Sequence, residues 1–156
     1  MYFPIIQLST TPVTEDEYIQ QDWLFDDDTV NDNSDYLSNA YSPEERKEFI
    51  KKELPKIFEG IAKVNAKKET LTFLSAKTIA RTVRKDLDKK MAELKQKQAD
   101  SLLTSYDFRR AGKWFRDDEV IVNYDCASYL SAMFMENSVS SAGQTVYIGG
   151  IVSAHS

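Results

Sequence analysis

The stretch Thr145–Val152, TVYIGGIV, decides how this chain folds. Bulky and β-branched residues dominate it, which is the composition of a strand. The Gly149-Gly150 pair removes two side chains from its middle, the mark of a bulge or of a close approach by another piece of backbone. Tyr2–Ser9 (YFPIIQLS) reads as a first strand closed by Thr10, Thr11 and Pro12, with Pro4 confined to a strand start or an edge. Thr70–Phe73 (TLTF) alternates, and Glu119–Tyr124 (EVIVNY) is strongly β-like, with Phe108–Phe115 as its expected hairpin partner. Cys126–Met135 (CASYLSAMFM) fits either a strand or a buried helix, because apolar runs of that length satisfy both patterns.

Two helices stand out between these strands. Ser42-Pro43-Glu44-Glu45 is a helix start: Ser42 accepts from free N–H groups, Pro43 fits the first helical position, and Glu45 completes a capping box. The helix is expected to bury Phe49, Ile50, Leu54, Ile57 and Ile61, to kink or break after Leu54 at Pro55, and to end at Gly60. Ser75 caps the second helix, Ala76 to about Gln98, whose residues Ile79, Val83, Leu87, Met91 and Leu94 form an apolar stripe. A short helical turn is expected through Leu103. The whole therefore reads as one α+β domain spanning residues 1–156. A small, largely antiparallel sheet carries two main helices on one face, and the other face is partly open.

Composition bounds the rest. The 156 residues are 42% hydrophobic, enough for one core, and no apolar run reaches the roughly 18 residues of a membrane span. The N-terminus lacks a basic leader, so no secretory signal is expected, and the single Cys126 excludes an intrachain disulfide. Together these point to a reducing cytoplasm. Charge is sharply segregated. Residues 1–42 hold nine carboxylates and no Lys or Arg, whereas residues 61–100 hold eleven Lys/Arg against five acids. A short acidic helix follows Thr14, and a loop-rich acidic segment runs over about 22–41.

Each cluster has a plain reading and a functional one. The acids Glu15, Asp16, Glu17, Asp26, Asp27, Asp28, Asp32 and Asp35 read most simply as a solvated surface. Functionally they form an acidic face for a basic partner, with Trp23, Phe25 and Tyr36 as aromatic contacts. No frame supplies the Gly and Glu of a calcium-binding loop, so no metal or cofactor is expected. Lys77, Arg81, Arg84, Arg109 and Arg110 are the alternative, a basic face for nucleic acid interleaved with Trp114 and Phe115. Cys126 reads as a buried structural thiol, and His155, one residue from the end, sits where termini fray. No nucleophile elbow, phosphate loop or HExxH motif is present, so the expected activity is not enzymatic.

The opening LSTTPVTEDEYI (residues 8–19) and the ending GQTVYIGGIVSAH (residues 143–155) resemble the two ends of small proteins carried by bacterial phages and integrative elements. LSAKTIARTVRKDLDKK (residues 74–90) resembles the first helix of a domain found in large polyvalent phage proteins. The chain departs from the pattern at Ser153-Ala154-His155, where an aromatic or acidic pair is expected. The resemblance implies a mobile-element accessory protein with a counter-defence or host-takeover role. It brings no catalytic residues. The expected function is thus a non-enzymatic interaction module whose partner is a host protein with a basic surface.

Overall fold

The computed structural model describes residues 1–100, 104 and 120–156. The expected hairpin partner Phe108–Phe115 and the turn through Leu103 lie outside the described residues. Seven strands form one mixed sheet: β1 (Tyr2–Ser9), β2 (Tyr36–Ala40), β3 (Ala62–Asn65), β4 (Thr70–Phe73), β5 (Ile121–Tyr124), β6 (Ala127–Leu130) and β7 (Thr145–His155). Their order is β3-β4-β7-β1-β5-β6, with β2 pairing β7 off that path. Among the described residues only β1 and β5 run parallel, and every other pair is antiparallel. The α+β class and the antiparallel character hold, but the sheet is larger than the small one the pattern suggests. The strand β3 and the strand β2, inside the acidic segment, carry no strand signature of their own. They form because β4 and β7 offer edges to pair with.

β7 is the spine. One side pairs along its length with β1, and the other pairs first with β4 and then with β2. Its register with β1 slips between Ile6 and Leu8, so Gly149 and Gly150 together face Gln7. Since side chains alternate, one extra residue reverses their parity. Val146, Ile148 and Ile151 accordingly enter one core, while Val152 and Ala154 enter the other. Both glycines are required by crowding. A Cβ on Gly149 would lie 2.2 Å from Gln7 Oε1, and one on Gly150 would lie 2.9 Å from the Ile19 nitrogen.

The helices among the described residues are α1 (Asp28–Asn31), α2 (Pro43–Lys52), α3 (Leu54–Ile57), α4 (Ala76–Asp100) and α5 (Ser131–Asn137). The capping box at Ser42 and Glu45 forms as expected. The break falls at Glu53, one residue earlier than the Pro55 rule suggests, because Pro55 is accommodated in the first turn of α3. Cys126–Met135 turns out to be strand and helix in succession, β6 and α5. The hairpin partner of β5 is β6, joined by the two-residue turn Asp125-Cys126. Both turn residues have positive φ, 46° and 69°, as this type of hairpin requires.

The main core lies between the sheet and α2, α3, α4 and α5, around Ile50, Leu54, Phe58, Leu71, Ile79 and Met135. On α4 only the first half of the expected stripe joins it: Ile79 is buried and Val83 packs against it, whereas Leu87 and Met91 are exposed. A 25-residue helix outruns the short strands it covers. The opposite face is covered in part. The acidic segment crosses it in 3-10 turns at Glu15–Glu17 and Gln21–Leu24 and then α1, seating Ile19, Leu24 and Val30 on Phe3, Ile5, Ile121 and Val152. The short helix expected after Thr14 is therefore two separate turns. No helix among the described residues is long and apolar enough to cross a membrane.

Candidate interaction surface

The acidic segment is an ordered ridge. Gln7 anchors its start: Oε1 accepts from the Ile19 and Gly150 N–H groups at 2.9 and 2.7 Å, and Nε2 donates to the Glu17 carbonyl at 3.1 Å. Thr14 and Glu17 form a capping box, and the Thr14 hydroxyl donates to Asp16 at 2.6 Å. That hydrogen bond holds the Asp16 carboxyl below the usual range. Asp27 caps α1 by accepting from the Val30 N–H at 3.0 Å. Gln21 donates to the Leu37 carbonyl at 3.1 Å and ties the ridge to β2.

Under the ridge lies Arg46, which is 5% exposed. On the side opposite β1, β7 has no strand partner at residues 148–149, where β4 has ended and β2 has not begun. Arg46 fills that gap, donating to the Ile148 and Gly149 carbonyls at 2.7 Å each. It also pairs with Glu69 at 2.9 Å and stands 4.4 Å from the centre of the Tyr18 ring. One guanidinium thus joins α2, the bulge, the β3–β4 turn and the ridge. The sequence contains a signal for it: Arg46, Ile50 and Leu54 share one helical face. Gln7 and Asn123 are similar, polar residues at inward positions of β1 and β5.

The ridge presents its charge outward. Glu15, Asp16, Glu17, Asp26, Asp28, Asp32 and Asp35 are exposed, and Asp27 is half-buried. Among the described residues none of them pairs with Lys or Arg; the one approach to a basic side chain is Asp35 with His155 Nδ1 at 4.0 Å. Trp23 and Phe25 are 56% and 54% exposed, open to a partner. Tyr36 is exposed and partly engaged. Its hydroxyl is 3.0 Å from that of Tyr2, and its ring stacks on His155 with centroids 4.8 Å apart. His155 is consequently held between two rings and does not fray, which overturns the expectation drawn from its position.

A groove of about 430 Å³ separates the ridge from the upper ends of β1 and β5; Asp16, Glu17, Trp23, Asp27, Asn123 and Cys126 are in its wall. Cys126 is exposed there, not buried, because it sits at the tip of a hairpin. It cannot meet His155: Cys126 follows the end of β5 beside Leu8, while His155 pairs with Tyr2. Six strand residues, about 20 Å, lie between. Among the described residues no three His, Cys, Asp or Glu side chains cluster closely enough to hold a metal ion. Lys77, Arg81 and Arg84 are exposed on α4, and Arg109 and Arg110 lie outside the described residues. No protein-family model, curated protein or solved structure matches this chain.

Proposed function

We propose that this protein is a non-enzymatic interaction module that docks its acidic ridge on a basic surface of a partner protein. The carrying observation is an ordered ridge whose carboxylates have no Lys or Arg partner among the described residues. An ordered surface loses little entropy on binding, and uncompensated charge steers encounter. Trp23 and Phe25 supply apolar area beside the charge, and aromatic anchors carry much of the binding energy of an interface. The resemblance to mobile-element proteins points to a host protein as the partner, in a counter-defence role.

The test is a pull-down from host lysate, with and without nuclease, comparing the native chain with the triple substitution Asp26→Asn, Asp27→Asn, Asp28→Asn. A partner retained after nuclease treatment, bound at least about tenfold more weakly by the triple variant at low salt, is the expected result. Capture that the substitution leaves unchanged overturns the ridge as the contact. The second reading, nucleic acid on α4, draws on the exposed Lys77, Arg81 and Arg84, none of which has an ion-pair partner among the described residues. It predicts nucleic-acid affinity that falls steeply with salt and is lost on charge reversal at Arg81 and Arg84.

A further inference from the structure

The ridge covers only part of its face of the sheet. On β3, β4 and the first residues of β7, none of the described elements covers the same face. There the outward residues are polar: Lys63 and Asn65 on β3, Thr70 and Thr72 on β4, Thr145 and Tyr147 on β7. With Lys68 from the β3–β4 turn they line an open recess of about 720 Å³. Lys63, Lys67 and Lys68 are exposed, and none has an ion-pair partner among the described residues. One face thus carries, side by side, a raised acidic half and a recessed half bearing lysines and hydroxyls.

We propose that this face is self-complementary and that a second copy of the chain occupies it. A two-fold axis lying along the boundary between the halves places the ridge of each copy over the recess of the other. The contact occurs twice and closes, as an isologous dimer interface must. Shape and charge agree in that arrangement, since the raised half meets the recessed half and carboxylates meet lysines. Nucleic acid is the weaker occupant for the same recess: a neighbouring ridge of unpaired carboxylates repels phosphate. The inference rests on the ridge reading above and names one partner for it.

The test is the mass of the full chain by light scattering and sedimentation, at about 20 mM and about 500 mM salt. A dimer at low salt that dissociates at high salt is expected. Two variants each reverse one half: Lys63→Glu with Lys68→Glu, and Glu15→Lys with Asp22→Lys and Asp26→Lys. No hydrogen bond of the fold uses the side chains of these five residues among the described residues, so circular dichroism should be unchanged. Each variant alone should raise the dimer dissociation constant at least about tenfold. Mixed together they should dimerise again, because in the mixed pair both contacts regain opposite charges. A chain that is monomeric at low salt overturns the inference, and so does a dimer indifferent to both reversals or a mixture that fails to reassociate. The ridge reading is judged separately: a monomer that still captures a basic protein through Asp26–Asp28 sinks only the dimer.

Discussion

The two faces of the sheet are built by different means. Among the described residues the helical side buries seventeen apolar residues in one core, whereas the ridge side buries eight. The helical core is made of periodic elements, each contributing several apolar residues. The ridge contributes Ile19, Leu24 and Val30, three anchors set several residues apart in a polar segment. Segments with few apolar contacts open at lower free energy than the global fold. The lesson is a division of labour: one face supplies stability, and the other holds a charged surface in place with few contacts and several hydrogen bonds.

Arg46 is the element that breaks this division, because it serves both faces. Arg46→Met keeps the aliphatic stem but strands the Ile148 and Gly149 carbonyls and removes the partner of Glu69. Two charge-assisted hydrogen bonds are lost, so the expected destabilisation is on the order of 3–5 kcal/mol. Denaturant unfolding checks it. A loss below about 1 kcal/mol would mean that the gap in β7 is filled another way.

A matched pair of truncations sharpens the comparison. Phe58→Ala, in the helical core, should lower global stability by about 3–5 kcal/mol. Leu24→Ala, in the ridge core, should cost about 2 kcal/mol and chiefly raise amide exchange over residues 15–35. Equal global losses, with no local rise in exchange, would show that the two faces unfold as one unit.

The smallest effect is alkaline. Burial raises the phenol of Tyr41, beside the helical core, and that of Tyr18, on the ridge, above the ordinary phenol value of 10.0; Glu45 adds to the rise at Tyr41, while Arg46 opposes it at Tyr18. A raised phenol means the fold favours the neutral form. The stability from each is complete below pH 10 and is lost as pH rises through the folded pKa. Tyr41→Phe and Tyr18→Phe should each reduce the fall in melting temperature measured above pH 10, with Tyr18→Phe acting on the ridge. An unaltered alkaline limb would assign that loss to other groups.

Much of the helical side was legible. The capping box at Ser42, the burial of Ile50 and Leu54, and the extent of α4 follow from local chemistry. The glycine pair was also legible as a bulge, because two adjacent glycines in an apolar strand have few other uses. The candidate surface was legible in its charge but not in its order. An acidic, Asn- and Ser-rich segment reads as a loop, and only the sheet beneath Ile19, Leu24 and Val30 turns it into a ridge. Cys126 and His155 were misjudged for one reason. Their exposure depends on where strands end, and strand ends are set by pairing between segments distant in sequence.

By itself the sequence determined the starts of α2 and α4, the strands β1, β4, β5 and β7, and the separation of acid from base, all properties of neighbouring residues. Only the tertiary structure decided that Arg46 would replace a missing strand, that Gln7 and Gly150 would clamp the ridge, and that acidic and basic halves would share one face. Those outcomes depend on contacts between positions as much as 143 residues apart, which no local pattern of propensity or period encodes.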